Sequence, residues 1–195
     1  MIPRKGPFLI LGLLLALSLS GALLQAAEPP AAESPESVVQ RYGAALRASD
    51  YHKIAELMHP EALEKFRNLL LPLLETGPGA DKDDSLLALF HGKDAAALKK
   101  LSPAEFFAAF MDGVMSSEPA TKEALASASM APIGSVPEGD VLHVVCRTSV
   151  ALRGASYSKL EVVSLKRAVG NWRVLLSGEL EGMAEILRAS RSRKQ

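Results

Sequence analysis

The chain is poor in cysteine, since Cys146 is the only one among 195 residues. One cysteine excludes an intrachain disulfide and leaves no second thiolate for a zinc site. The histidines also lack the i, i+4 spacing, with an acid between, that marks a helical metal site. The four are His52, His59, His91 and His143. We therefore predict a domain that is held together by packing, with no metal and no cofactor.

An excess of charge of one sign is lacking as well, because 22 basic side chains balance 22 acidic ones. A neutral chain has no general attraction for a phosphate backbone, so we expect no nucleic-acid binding. The sequence also contains no phosphate-binding loop and no motif of a nucleophilic enzyme. These absences favour a binding or structural role over a common catalytic one.

The only long apolar run lies at the N-terminus. Arg4 and Lys5 form a basic head, an apolar stretch follows, and small residues come after it. This layout is typical of a secretory signal peptide, which we place at residues 1–27, with cleavage after Ala22 or close to residues 26 and 27. We therefore expect export to the periplasm or the extracellular space.

An uncleaved membrane anchor is the alternative for this segment, because residues 8–24 approach the ~20 apolar residues that span a bilayer. A Pro/Ala-rich stretch follows at residues 28–34, with too little apolar content to fold, and predicts a flexible spacer. The rest predicts a single α+β domain at residues 35–190 and a solvated basic tail at residues 191–195.

Helical signals come first in the domain. Ser34 and Pro35 predict an N-cap and a first turn, and Ser102 with Glu105 predicts a capping box. Pro72 should kink or end the third helix. A polar, glycine-rich loop at residues 75–84 is the most mobile segment that we predict inside the domain. The predicted helices cover residues 35–46, 50–58, 60–74, 85–91, 94–101 and 102–115.

Strand signals follow the helices. In residues 141–151, alternate positions carry apolar side chains or Thr148, which is typical of a strand with one buried face. A second strand is predicted at residues 156–167. A tight turn at Gly170 and Asn171 should lead into a third strand at residues 172–176. An irregular edge strand at residues 124–136 and a terminal helix at residues 182–189 complete the prediction.

Three stretches resemble the nuclear transport factor 2-like superfamily. They are the helix with Val38-Val39, Tyr42 and Ala45-Leu46, the segment at residues 49–61, and the hairpin at residues 165–174. The resemblance implies a curved antiparallel sheet wrapped around the first helix, cone-like, with an apolar pocket and often a dimer through the outer face of the sheet. A helical insertion at about residues 77–116 departs from the family pattern and could cap the cone.

We expect a non-catalytic domain that binds a small apolar ligand or a protein partner, possible partners including a second copy through the sheet. The predicted pocket lining is Tyr42, Phe66, Cys146, Thr148 and Trp172. The first alternative is a pocket enzyme of the isomerase or cyclase type with Tyr42 as acid or donor. Such an enzyme needs a carboxylate base in the pocket, and Glu161 shares its strand parity with charged residues, so a base is poorly supplied. The second alternative is a scaffold whose pocket is filled by its own side chains.

The predicted leader can be tested on protein exported from the cell that makes it. Intact mass should show a chain that starts at residue 23, 27 or 28, because a signal peptidase cuts after a small residue. N-terminal sequencing of the same sample fixes the position. A mass that retains residues 1–22 would instead support the anchored alternative.

Overall fold

The first three helices form where the cap signals predict them. The computed structural model of the protein describes residues 33–75, 85–152 and 154–192. Helix α1 spans Pro35–Ala48, α2 spans Tyr51–Leu57 and α3 spans Pro60–Glu75. The Ser34 hydroxyl accepts a hydrogen bond from the Ser37 N–H at 3.1 Å, which satisfies one of the free donors at the start of α1.

Two local expectations need correction here. Glu33 accepts a hydrogen bond from the Ser37 hydroxyl and pairs with Arg41, so the end of the predicted spacer is part of the α1 cap. Pro72 lies inside α3 and the helix continues to Glu75. A proline removes only one N–H from the helix ladder, so one further turn can follow it. The remaining predictions for residues 1–32, 76–84 and 193–195 lie outside the described residues.

The insertion is helical, as predicted, and packs on other helices. Helix α4 spans Ser85–Ala88, α5 spans Ala95–Lys99 and α6 spans Pro103–Ser117. The capping box is confirmed, since the Ser102 N–H donates to the Glu105 carboxylate and the Glu105 N–H donates to the Ser102 hydroxyl. Helix α6 packs mainly against α2 and α3. The insertion therefore builds a helical layer.

An aromatic cluster forms the centre of this layer. The Phe66 ring on α3 lies 5.2 Å from the rings of both Phe107 and Phe110 on α6, in edge-to-face geometry. Phe90 lies 4.9 Å from Phe106. All five rings are buried. Edge-to-face pairs add about 0.5–1.5 kcal/mol each beyond the area that they bury, so this cluster is a major source of stability.

A helix that the sequence analysis missed follows α6. Helix α7 spans Pro119–Ala126, with its proline in the first turn, and the edge strand β1 spans Ser129–Glu138. The predicted edge strand therefore exists but begins five residues later than expected. Residues 120–126 are rich in alanine, glutamate and lysine, which favour a helix over a strand.

The sheet is a four-stranded antiparallel meander in the order β1-β2-β3-β4. Strand β2 spans Val141–Leu152, β3 spans Ala155–Ala168 and β4 spans Asn171–Val174. The last helix, α8, spans Gly178–Ser192 and is longer than the predicted 182–189. The fold class is confirmed: an α+β domain with several helices and one curved antiparallel sheet.

The hairpin between β3 and β4 turns one residue earlier than predicted. Ala168 pairs with Asn171, so the turn residues are Val169 and Gly170. Both have positive φ, 49° and 80°, as in the type I′ turn that matches strand twist. A β-branched residue is disfavoured in that conformation, which is why the sequence suggested Gly170-Asn171 instead.

Helix α1 lies on the inner face of the sheet. It packs against β1, β2 and β4, and its Val38 and Val39 belong to the same fully buried core as Val144 and Leu165. The sheet is also joined to the helices at its β4 edge, because the His59 N–H donates to the Val174 carbonyl at 2.7 Å. No helix among the described residues is long and apolar enough to cross a membrane.

The packing of α6 against the turn that follows α4 depends on one glycine. A Cβ added to Gly113 would lie 1.6 Å from the Leu89 carbonyl oxygen. Gly113→Ala should therefore lower the free energy of unfolding by about 3 kcal/mol, measured by urea denaturation. Gly182→Ala is the control: a Cβ at this exposed position in α8 meets nothing within 4 Å, so the helix propensity of alanine should raise stability by up to about 1 kcal/mol. Equal effects of the two substitutions would contradict the packing described.

Candidate functional site

The inner face of the sheet carries a polar cluster at the end of the buried core. Strand register pairs Cys146 with Glu161 and Thr148 with Lys159, which brings all four side chains to that face. The Thr148 hydroxyl donates to one Glu161 oxygen at 2.5 Å, and the Lys159 ammonium lies 2.6 Å from the other. Both carboxylate oxygens are therefore occupied.

Tyr42 reaches the same cluster from α1. Burial raises the pKa of its phenol to about 12, and the negative charge of Glu161 adds to the effect. The pKa of the Cys146 thiol is raised for the same two reasons, burial first and Glu161 second. The three predicted lining residues Tyr42, Cys146 and Thr148 are thus brought together around one carboxylate.

The environment of Glu161 keeps that carboxylate ionised. Burial acts to raise its pKa, but the hydrogen bonds from Lys159 and Thr148 and the positive charge of Lys159 outweigh burial, so its pKa lies below the ordinary value. Near neutral pH the cluster therefore holds an anion, a neutral phenol and a neutral thiol. Neither the phenol nor the carboxylate changes protonation there, so the arrangement suits binding better than proton transfer.

The other two predicted lining residues lie elsewhere. Phe66 belongs to the aromatic cluster between α3 and α6, away from the sheet. Trp172 lies on β4, where the Arg167 guanidinium carbon sits 4.3 Å from the centre of its ring, a cation–π contact. Periodicity had shown that both side chains face inward, but it could not show which part of the core each one joins.

Glu161 is the functional candidate that sequence reasoning set aside. Its parity with Lys159 and Arg167 had counted against a base in the pocket. The alternation of β2 indicates that Cys146 and Thr148 share a face, but only the register of β3 places Glu161 and Lys159 opposite them. Lys159 is then a partner of the partly buried carboxylate.

The outer face of the same sheet carries exposed apolar side chains, which we call the outer strip. Its members are Val136, Leu160 and Val162. Their exposed fractions are 58%, 59% and 59%. Val162 pairs directly with Val145, and Leu160 pairs with Arg147, so the members of the strip lie on β1 and β3 with β2 between them.

Comparison of the chain with protein-family models, with curated proteins and with solved structures finds no match. Within residues 33–75, 85–152 and 154–192, no group of three or more His, Cys, Asp or Glu side chains is arranged to hold a metal ion.

The raised pKa of Tyr42 predicts a dependence of stability on pH. A phenol with a pKa near 10 in the unfolded chain and about 12 in the folded one stabilises the fold fully below pH 10, and this contribution is lost as the pH rises to 12. At pH 11 the loss should be about 1 kcal/mol in the free energy of unfolding. Tyr42→Phe should not show it.

The measurement is urea denaturation of both proteins at pH 9 and pH 11. Lysine titration affects both proteins alike, so the difference between them isolates Tyr42. Tyr157→Phe, which removes the hydroxyl of an exposed tyrosine, is the control and should behave as the wild type does. An identical fall in stability for wild type and Tyr42→Phe would show that the phenol is not desolvated.

Proposed function

We propose that the chain is an exported protein-binding domain whose outer strip contacts a second copy of the same chain. The observation that carries the proposal is the exposure of three large apolar side chains on one face of the sheet. In an antiparallel sheet a solvated face is normally polar. Contiguous exposed apolar surface of this kind marks an interaction site.

Polar side chains occupy the outer positions next to the strip, so the apolar surface is limited in extent. The outer positions of β2 on either side of Val145 are His143 and Arg147. Burial of a valine or leucine side chain contributes about 1.5–3 kcal/mol, and these side chains are already partly covered. Covering the strip on two copies at once therefore supplies a moderate driving force.

The size of the face indicates a weak dimer. Three strands about nine residues long cover roughly 30 by 15 Å, or ~450 Å² per copy. A standard stable interface buries about 800 Å² per partner. We therefore expect a reversible dimer with a dissociation constant in the micromolar range, formed face to face about a two-fold axis.

The arrangement of α1 supports kinship with the nuclear transport factor 2-like superfamily. Helices precede a meander, and α1 packs on the inner face of the curved sheet. The kinship is part of the proposal, and it implies contact through the outer face of the sheet. The proposed location is outside the cytoplasm, on the strength of the N-terminal segment.

A small-ligand site at the inner-face cluster is the second candidate function. Tyr42 faces the ionised carboxylate of Glu161, which favours a ligand with an apolar body and a hydrogen-bonding group. The deeper part of the inner face is filled by the protein's own side chains, Val144 and Leu165 among them. The pocket-enzyme alternative is less well supported, because Lys159 and Thr148 hold the only carboxylate of this cluster.

Val162→Lys tests the dimer. A charge in the middle of the strip should shift the dimer equilibrium toward monomer by at least tenfold, because a lysine would be desolvated without a partner there. The measurement is sedimentation velocity of the mature protein over a range from about one to several hundred micromolar, the range in which a small interface should dissociate.

Val169→Lys is the matched control, since Val169 is fully exposed at the β3–β4 turn and receives the same substitution. It should dimerise as the wild type does. A wild-type protein that stays monomeric at the highest concentration would overturn the proposal, and equal effects of the two lysines would assign the contact to another surface.

A further inference from the structure

Three polar side chains form a chain of hydrogen bonds on the outer face of the sheet. His143 on β2 and Ser164 on β3 are direct cross-strand partners, and the His143 Nδ1 lies 2.9 Å from the Ser164 hydroxyl. The His143 Nε2 lies 2.7 Å from a carboxylate oxygen of Glu138 on β1. A hydroxyl, an imidazole and a carboxylate in this order are the groups of a base-activated nucleophile.

A single tautomer of His143 satisfies both of these hydrogen bonds. When the Nε2 of His143 carries the proton, it donates to the Glu138 carboxylate, and the bare Nδ1 can then accept the Ser164 hydroxyl proton. The carboxylate fixes the tautomer and would stabilise the imidazolium once that proton is transferred. In the usual serine hydrolase arrangement the serine contacts Nε2 and the carboxylate contacts Nδ1. Here the two ring nitrogens are exchanged, but the roles of the three groups are the same.

The three side chains line a groove with room for a small substrate. Its volume is about 350 Å³, and its wall also includes Lys65 and Leu176. The Lys65 ammonium lies 2.7 Å from the Glu181 carboxylate, and Glu181 and Glu61 also belong to the wall of the groove. The wall therefore carries more acidic than basic side chains, which favours an uncharged ester over an anionic one.

We propose that this groove is an acyl-transfer site in which Ser164 is the nucleophile, His143 the general base and Glu138 the residue that positions the imidazole. The Ser164 oxygen bonds to the carbonyl carbon of a small ester while its proton passes to His143. The carbon–oxygen bond to the leaving alcohol then breaks, and the alcohol takes the proton from His143. Water attacks the acyl-serine by the same route and releases a carboxylic acid.

This activity goes beyond the proposed binding function and uses different residues. The groove adjoins the outer strip, since Val136 is the β1 partner of His143. A face-to-face dimer would therefore narrow the entrance to the groove. Experiments on the groove should accordingly be run at low protein concentration and repeated with Val162→Lys.

The same sheet supplies a matched control. Ser149 and Ser158 are also direct cross-strand partners on the outer face, and their hydroxyls lie 3.1 Å apart, but this pair has a second hydroxyl in place of the imidazole. Ser158 is on the same strand and the same face as Ser164. Any difference in reactivity between the two serines therefore reports the histidine and its carboxylate.

The test is covalent labelling of the mature protein by a small fluorophosphonate, with peptide mass spectrometry to locate the adduct. Ser164 should be labelled at least about 100-fold faster than Ser158, the lower end of what a positioned general base supplies. His143→Gln should abolish this advantage, and Glu138→Gln should reduce it by a smaller factor. Hydrolysis of p-nitrophenyl acetate should fall in the same order, and Ser164→Ala should lose it.

Two outcomes would overturn the inference. One is equal labelling of Ser164 and Ser158 in the folded protein. The other is labelling of Ser164 that His143→Gln leaves unchanged, with thermal unfolding showing that the variant is folded. If Val162→Lys abolishes the dimer but Ser164 is still labelled, the proposed activity of the groove is independent of the binding function. If Ser164 is not labelled in a protein that still dimerises, only the proposed activity of the groove is rejected.

Discussion

The packing of α1 against the inner face of the sheet is the contact on which the rest of the structure depends. Val38 and Val39 are fully buried, and they share one core with Val144 and Leu165. A Cβ on Gly43 of α1 would lie 3.1 Å from the Met130 Cβ of β1, so the helix and the edge strand approach closely. This contact fixes the position of Tyr42, and through Tyr42 it determines what faces Glu161.

The helical layer holds most of the aromatic side chains of the core, and this explains why they do not form a pocket on the sheet. Five of the six phenylalanines of the chain lie in the cluster between α3, α6 and the turn after α4. Their burial stabilises the insertion without covering the sheet. The inner face of the sheet is left with aliphatic side chains and one polar cluster, which is a poorer setting for the small apolar ligand that the sequence suggested.

Local patterns predicted much of the fold. Caps at Ser34 and Ser102 and the alternation in residues 141–151 correspond to elements of the structure, because each depends on neighbours close in sequence. The errors arose where the physical cause is not local. Val169 adopts a positive φ because strand register places it in the turn. The start of β1 was predicted too early because the alanine and serine residues before it suit either a helix or a strand.

The candidate sites were harder to predict than the fold for the same reason. Glu161 is a candidate only because Thr148 and Tyr42 lie near it, and the groove is a candidate only because His143 lies opposite Ser164. Each of these contacts joins two strands, or a strand and α1. A shift of one residue in the β2–β3 register would have placed Ser164 on the inner face instead. Sequence alternation shows which residues share a face, whereas the partner across the ladder depends on the whole sheet.

The two edges of the sheet limit how chains can associate. Strand β1 carries Pro132 and Pro137, and its register shifts between residues 132 and 134, so its free edge is bent and lacks two amide donors. The opposite edge is occupied at Val174 by a parallel bridge to Met58. Strand β4 pairs only with residues 165–168 of β3, so among the described residues the stretch 155–163 of β3 is a free edge, and strand addition to the folded protein would have to start there.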